Sequence, residues 1–350
     1  MTTFVQAIRR RMDLGSFGQN IKIGLWVVLT PLILYSLFLI SQDASPLEVY
    51  QSMLKSIFGD WYGFGEVLIK TTPFILTALA VAIPARVGLV NVGGEGQLMV
   101  GALVSTAAGV YFLHSMPAWL GIPFMAMAGA FGGLLWAMIA GLLKRYANMN
   151  ETITTLLMNY IAAFMISYFV FGPFKDPKAG NWPFSPKLED TLRLPTFGDS
   201  RTNIGIFIAV GLVILVWWLF KYTRLGFITK VVGGNTTAAL QSGFQVKSIQ
   251  FWMLLFGGAM AGIAGMIEIS GIEGHVRPMT GIGYGYLGFL AAWTAWNRPL
   301  WIIVSAFLLG AISVSGNSLE MISGLPSSIV NVFMALILFA VLAAERGATK

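Results

Sequence analysis

Long apolar stretches recur along the whole chain, and they constrain its fold more than any other feature. A helix needs about 20 mostly apolar residues to cross the hydrocarbon core of a bilayer. We therefore predict an all-α integral membrane protein with about ten transmembrane helices, in which residues 1–350 form a single polytopic membrane domain. The ten stretches that meet or approach this length are about 22–40, 66–86, 95–113, 118–141, 151–172, 203–220, 249–270, 283–297, 299–315 and 327–344.

The composition agrees with a membrane protein and argues against a nucleic-acid-binding protein. Hydrophobic residues make up 56% of the chain and charged residues 11%, whereas soluble domains are about 25% charged. The net charge of +7 is explained by the excess of Lys and Arg that cytoplasmic loops carry. With the N-terminus in the cytoplasm, fourteen Lys and Arg fall on the inner side and eight on the outer side. This distribution predicts that both termini are cytoplasmic.

Several classes of chemistry lack the residues that they need. The chain has no cysteine and only two histidines, His114 and His275, so a zinc site is not expected. It has no Gly-Lys pair and therefore no phosphate-binding P-loop, and we predict that it does not hydrolyse ATP. The adjacent acids Glu189 and Asp190 lie in an outer loop, where they cannot serve an intramembrane enzyme. These absences argue against an enzyme, and we expect no metal or cofactor bound by this chain.

Three polar segments lie between the predicted spans. Residues 41–65 have the apolar spacing of an amphipathic helix on the outer surface. Residues 173–202 contain five prolines and predict an ordered outer cap. Residues 221–248 form the largest inner loop. Three small-residue positions on its central helix, Ala238, Ala239 and Ser242, form a face that fits a groove of another protein, although an ordinary loop with a short helix is the alternative.

The inner loop carries clear signals for that short helix. Asn235 is a preferred N-cap residue, and residues 236–242 are long enough for two turns. Gly243 follows where a left-handed residue commonly ends a helix. Gly233 and Gly234 allow a tight entry. The sequence therefore predicts a short helix that is stopped at both ends.

The same loop resembles the ATPase-contacting loop of ABC importer permeases of the ribose, branched-chain amino acid and nucleoside type. Two further segments resemble motifs of these permeases, GLVNVGGEGQLMVG at 88–101 and NETITTLLMNYI at 150–161, and they favour the nucleoside-type branch. The loop positions that match, and that the resemblance assigns to ATPase coupling, are Thr223, Arg224, Gly226, Gly233, Gly234, Asn235, Ala238, Ala239, Ser242 and Gly243.

The resemblance implies a complete importer around this chain. The fold would be that of a type II ABC importer permease in a bacterial cytoplasmic membrane. A separate ABC ATPase subunit would bind the 221–248 loop and would use ATP and Mg²⁺, while this chain binds no cofactor. An extracytoplasmic solute-binding protein would deliver a nucleoside or a similar small polar solute. A second permease subunit, commonly a different paralogous chain, would complete the path for alternating access.

Glycines interrupt the apolar pattern at two corresponding places. Gly93, Gly94 and Gly96 follow the second span, and a second group follows the seventh span. Paired broken helices are typical of transporters built from two repeats. We therefore predict inverted repeats over about 66–172 and 249–344. The second group consists of Gly281, Gly283, Gly285 and Gly288.

Polar residues near the first interruption are candidates for the translocation path. Glu95 is costly within a membrane unless it has a partner or water, and we group it with Asn91, Gln97 and Asn159. The alternative is a carboxylate at the inner interface, bonded by the N–H groups of its own turn. A corresponding alternative function is a stand-alone secondary transporter or channel in which Glu95 couples transport to ions or protons.

Other polar and small residues have structural explanations. Glu151 is expected in the first turn of a helix capped by Asn150, and Glu268 is expected to be solvated at the outer end of its helix. The pairs Gly129–Gly133 and Gly258–Gly262 have the spacing that lets membrane helices pack closely.

Overall fold

A computed structural model describes residues 17–197, 200–323, 326 and 328–347. Over these residues the regular secondary structure is helical, with one isolated bridge between Thr196 and Asn203 and no longer strand. This confirms the predicted all-α class. The helices are α1 (Phe17–Ser41), α2 (Pro46–Phe58), α3 (Trp61–Ala85), α4 (Gly94–Tyr111), α5 (Ala118–Ala147), α6 (Glu151–Phe171), α7 (Gly205–Tyr222), α8 (Arg224–Gly234), α9 (Thr236–Gln241), α10 (Val246–Glu268), α11 (Tyr284–Thr294), α12 (Pro299–Ser323) and α13 (Ile329–Gly347).

Each of the ten predicted apolar stretches coincides with a helix, although not every helix is long enough to cross a bilayer. Among the described residues, six helical segments have the length and apolar character for a full span, and two shorter apolar helices cover Leu29–Ser41 and Ile329–Ala343. The predicted span at 283–297 is α11, which has 11 residues. At 1.5 Å per residue it covers about half of the hydrocarbon core. The six segments are Trp61–Ala85, Ala118–Ala147, Glu151–Phe171, Gly205–Tyr222, Val246–Glu273 and Pro299–Gly316.

The chain divides into two compact units, and the first consists of residues 1–70 and 307–350. In this unit the ring of Tyr35 stacks on Phe333 with 4.7 Å between the ring centroids. The predicted amphipathic segment forms α2, which buries Val49, Met53 and Ile57 on one side. Its other side is exposed, as expected of a helix that lies along a membrane surface.

The second unit covers residues 71–306, and glycine contacts hold its central helices together. A Cβ atom on Gly129 would lie 2.8 Å from the carbonyl oxygen of Gly262, and one on Gly258 would lie 2.6 Å from that of Gly133. The two glycine pairs therefore pack α5 directly against α10, as their spacing predicted.

The described residues of the outer segment, 173–197 and 200–202, form an ordered cap that is bonded to the chain after α10. The N–H of Leu188 donates to the carbonyl of Gly274 at 2.9 Å, and the N–H of Val276 donates to the hydroxyl of Ser185 at 2.8 Å. Leu188 and Leu192 are buried apolar side chains of this cap. This agrees with the expectation of an ordered cap rather than an unstructured linker.

The predictions for Glu151 and Glu268 have different outcomes. Asn150 caps α6 by accepting hydrogen bonds from the N–H groups of residues 152 and 153, so Glu151 lies in the first turn as predicted. The Glu151 carboxylate also pairs with Lys144 at 2.8 Å. The expectation for Glu268 was wrong. Its side chain is buried and accepts a hydrogen bond from the Tyr284 hydroxyl at 3.1 Å, because α11 begins beside the end of α10.

Candidate functional site

Residues 86–93 break the helical path between α3 and α4, and Asn91 organises this break. Its amide nitrogen donates to the carbonyl of Ala80 at 2.9 Å and to the side chain of Gln97 at 3.0 Å. Its amide oxygen accepts from the N–H of Gly93 at 2.9 Å and from the Gln97 amide at 3.2 Å. Asn91 and Gln97 are both buried. They therefore satisfy each other and the backbone that the break leaves unpaired.

Two residues of α6 secure the same break from the opposite side. The Asn159 oxygen accepts from the N–H of Gly96 at 2.9 Å, and its nitrogen donates to the carbonyl of Val92 at 2.9 Å. The hydroxyl of Thr155 accepts from the N–H of Val92 at 3.1 Å. These bonds allow non-helical backbone inside a membrane protein, where water is not available as a partner.

The second break, residues 274–283, precedes α11 and packs directly beside the first. Gly281 and Gly283 adopt φ values of +76° and +87°, which favour glycine. The Glu95 carboxylate accepts a hydrogen bond from the N–H of Gly283 at 2.9 Å. Glu95, which lies in α4 directly after the first break, therefore caps the N-terminus of the helix that follows the second break.

Glycines in the first half of α11 allow this helix to approach α3 and α4 closely. A Cβ atom on Gly285 would overlap the backbone nitrogen of Glu95, and one on Gly288 would overlap the hydroxyl of Thr77. That hydroxyl in turn donates to the carbonyl of Tyr284 at 3.0 Å. The predicted interruptions are therefore present, but Gly94, Gly96 and these two glycines lie within helices, where they permit close contact.

A pocket of about 380 Å³ opens beside the contact between the breaks. Glu95 and Asn159 line this pocket, whereas Asn91 and Gln97 do not and lie buried behind them. Two tyrosines that sequence reasoning missed complete its polar lining, Tyr160 and Tyr286. Their positions in the sequence motifs could have indicated them, since Tyr160 follows Asn159 and Tyr286 lies in GYGYLG.

The inner loop folds into two helices, α8 and α9, of which α8 rests on the first break. Thr223 caps α8, and its hydroxyl accepts from the N–H of Gly226 at 3.4 Å. A Cβ atom on Gly233 would overlap the carbonyl of Arg86. The Arg86 guanidinium lies 4.7 Å from the centre of the Phe220 ring. The inner helices therefore touch the chain nine residues before Glu95. α8 begins at Arg224 and ends at Gly234. No atom lies within 4 Å of the position that a Cβ of Gly234 would take.

The short helix α9 has the predicted stops at both ends. The Asn235 side chain accepts from the N–H groups of Thr237 and Ala238, and Gly243 has a φ of +83°. The exposed surface of α9 differs in part from the predicted face of Ala238, Ala239 and Ser242. Ala239 is fully buried within the chain, whereas Ala238 and Ser242 are exposed. Leu240, which the sequence had not singled out, is 58% exposed.

The sequence matches the family described as "Branched-chain amino acid transport system / permease component" over residues 63–342. The chain belongs to this permease family. It is 32% identical to a glucose ABC transporter permease of Haloferax volcanii over 329 residues, 91% of this chain and 86% of the relative. It is 30% identical to a guanosine ABC transporter permease of Bacillus subtilis, with 92% of this chain and 93% of the relative covered. A nucleoside ABC transporter permease of Lactococcus lactis is 28% identical over 92% of this chain and 90% of its own length.

The conspicuous segments of this permease fall on the structural features just described. Residues 88–101 contain the end of the first break and the start of α4, and residues 150–161 begin α6 with its cap and Asn159. Residues 223–243 form the two inner helices. Among the described residues, no group of three or more His, Cys, Asp or Glu side chains has the arrangement of a metal site.

Proposed function

We propose that this permease is the membrane subunit of an ATP-driven importer and that its α8–α9 pair receives a separate ABC ATPase. The observation that carries this proposal is α9, a helix capped at both ends with an exposed surface at Ala238, Leu240 and Ser242. ATP and Mg²⁺ act in the partner, and this chain supplies no cofactor. The residues in the coupling role are the set from Thr223 to Gly243 that the sequence singled out.

The inner helices contact the chain close to the proposed translocation path, so their movement can be transmitted to it. Gly233 rests on the Arg86 carbonyl, and the Gln250 amide donates to the carbonyl of Val87 at 3.2 Å. The break that begins there leads to Glu95 and Asn159. In the proposed mechanism, closure of the ATPases displaces α8 and α9, and this displacement shifts the two breaks against each other. The path opens alternately to the two sides of the membrane.

We assign the translocation path to the pocket beside the breaks. Glu95 and Asn159 lie at its edge with Tyr160 and Tyr286, while Asn91 and Gln97 support them from behind. Amide, phenol and carboxylate groups suit a neutral solute with several hydroxyl or amide groups. The relatives named for guanosine, nucleoside and glucose transport support a nucleoside or a similar small polar solute. An extracytoplasmic binding protein delivers it.

The importer contains a second permease subunit, which we propose to be a different paralogous chain. Bacillus subtilis has two guanosine ABC transporter permeases similar to this chain, at 30% and 24% identity. Lactococcus lactis likewise has two nucleoside permeases, at 28% and 29% identity. We place the assembly in a bacterial cytoplasmic membrane with both termini of this chain in the cytoplasm.

Co-purification tests the proposal directly. Ala238→Arg with Ser242→Arg adds two charges to the exposed surface of α9 and leaves the buried Ala239 intact. The matched control, Ala147→Arg with Met149→Arg, adds the same charge to exposed residues of another loop that we place on the inner side. We expect an ATPase to co-purify with the wild type and the control, and to be lost from the α9 variant.

A different result supports the alternative function. If the folded wild type purifies without an ATPase and moves solute into liposomes in the absence of ATP, the importer proposal is wrong. Glu95, at the edge of the pocket, then becomes the first residue to neutralise, because the stand-alone transporter assigns coupling to it.

A further inference from the structure

We propose that a phosphate group, carried by an anionic phospholipid, binds between the end of α5 and the start of α10. A second pocket of about 60 Å³ lies there, separate from the pocket beside Glu95. Three cationic side chains line it, Lys144, Arg145 and Lys247. We refer to it as the basic pocket. A single water needs roughly 10–15 Å³ of such space, so the basic pocket has room for a group of phosphate size.

The charge around the basic pocket is only partly neutralised by the chain. Glu151 pairs with Lys144 at 2.8 Å, and the residues that line the pocket include no acid. Within the described part of the chain, neither Arg145 nor Lys247 forms an ion pair. Two cations therefore remain available for an anion.

The remaining groups have the geometry to orient an anion. The Arg145 guanidinium lies 5.7 Å from the centre of the Phe251 ring and 5.6 Å from that of Tyr146. Contact with ring faces restricts the guanidinium and leaves its N–H edge free to donate. Asn148, which adopts a left-handed conformation with a φ of +52°, presents an exposed side-chain amide beside it.

The position of the basic pocket favours a lipid as the source of the phosphate. α5 and α10 are both long enough and apolar enough to cross the membrane, and the pocket lies where one ends and the other begins. The Lys and Arg distribution assigns this end to the cytoplasm, where anionic headgroups attract basic pockets between helices. Leu89, Phe251 and Leu254 give the pocket an apolar side that suits the glycerol and acyl part of a lipid.

A bound lipid would also touch the transport machinery. Leu89 belongs to the first break, and Gln250 bonds the carbonyl of Val87 at the beginning of that break. An occupied basic pocket therefore bridges α5 to α10 beside the segment that we assign to coupling. Anionic lipid is expected to stabilise this region against separation of the two helices.

Native mass spectrometry of the purified full-length chain tests the proposal, with phosphatidylglycerol and phosphatidylcholine as probes. Arg145→Gln with Lys247→Gln removes the two unpaired cations. The control variant, Lys221→Gln with Lys230→Gln, removes the same charge from other inner positions. We expect the wild type and the control to prefer phosphatidylglycerol by about tenfold or more, and the pocket variant to lose the preference. The single variant Lys247→Gln provides a milder test if the double variant does not fold.

Inorganic phosphate distinguishes a lipid from a free anion. Phosphate that binds the wild type but not the pocket variant, without a preference for phosphatidylglycerol, identifies a soluble phosphate as the occupant. Lipid retention that is equal in the wild type and the pocket variant overturns the proposal. If the pocket variant keeps its preference for phosphatidylglycerol but loses the ATPase in the co-purification test described above, the proposal is also overturned, and the cations are assigned to subunit docking.

Discussion

The Glu95 carboxylate accepts a hydrogen bond from the backbone N–H of Gly283 at 2.9 Å, although the two residues are 188 positions apart. Glu95 lies in the first turn of α4, and Gly283 is the N-cap residue of α11. The positive ends of two helices therefore meet at one carboxylate, and helix N-termini favour an acidic side chain. This contact joins the two breaks and explains how an acid is accommodated among apolar helices.

Replacement of Glu95 should destabilise the protein in a graded way. Glu95→Gln keeps an acceptor but loses the charge, whereas Glu95→Ala leaves the N–H of Gly283 without a partner, at roughly 1–3 kcal/mol. We expect the melting temperature in detergent to fall in the order wild type, Gln variant, Ala variant. Glu48→Gln, which changes an exposed acid of α2, is the control. Identical melting of all four proteins would refute the structural role of Glu95.

Gly285 should not tolerate even a methyl group. Its Cβ would overlap the backbone nitrogen of Glu95, and backbone cannot move aside as a flexible side chain can. We expect Gly285→Ala to lower stability by about 1–3 kcal/mol, as overpacking does in well-packed interiors, and to abolish transport by separating the breaks.

The matched control for Gly285 is Gly211→Ala in the middle of α7. No atom lies within 4 Å of a Cβ at this position, so the change should be neutral or should stabilise the helix by up to about 1 kcal/mol. Thermal unfolding of the two variants side by side separates steric conflict from helix propensity. Equal effects of the two substitutions would contradict the close approach of α11 to α4.

The sequence was sufficient to predict features that depend only on residues adjacent in the chain. Asn235 and Gly243 mark the ends of α9 through local capping preferences, so they were recognised without knowledge of the fold. The inward face of Ala239 was not predictable, because it depends on what α9 packs against. Glu268 was misjudged for the same reason, since its partner Tyr284 belongs to another helix.

The candidate path was recognised in part. Asn159 and Glu95 were selected as polar residues in apolar surroundings, and both line the pocket. Tyr160 and Tyr286 were not selected, because tyrosine is common at the ends of membrane helices and a single chain gives no sign of which tyrosines converge.

Arg9, Arg10 and Arg11 lie outside the residues that the structure describes. Their assignment to the cytoplasm stays a prediction.

Tyr286→Phe and Tyr160→Phe test the proposed path with little structural cost. Each removes one hydroxyl at the pocket edge, where both side chains are exposed. We expect each variant to retain the melting temperature of the wild type and to take up solute with a KM raised about fivefold to tenfold, as loss of one hydrogen bond predicts. The assay is uptake of a labelled nucleoside and of labelled glucose by the reconstituted importer.

Asn159 is less suitable for that purpose, because it also supports the first break. Asn159→Leu would leave the N–H of Gly96 and the carbonyl of Val92 unpaired, so it should lower both stability and transport. The control for the tyrosines is Tyr168→Phe, an exposed position of α6 outside the pocket. If Tyr168→Phe raises the KM as much as the pocket variants do, the pocket is not the path.

His275 should make the stability of the outer cap dependent on pH. Its imidazole lies 4.6 Å from the ring of Phe184, centre to centre. Burial, and then the charge of Arg277, lower the pKa of His275 below its ordinary value of 6.5. Glu273 opposes this shift, and Arg193 and Lys187 add to it. The folded protein therefore binds a proton at this site less readily than the unfolded chain. Stability is retained above pH 6.5 and is lost as the pH falls below it.

The measurement is the melting temperature between pH 7.5 and pH 5.5 for the wild type and for His275→Gln. The variant loses the ring contact with Phe184, so its melting temperature should be lower at pH 7.5, but it should decline less on acidification. His114→Gln alters the other, exposed histidine and should reproduce the wild-type decline. A decline that is equally steep in His275→Gln would show that acidification acts on other groups, since a glutamine cannot take up the proton that costs the folded cap its stability.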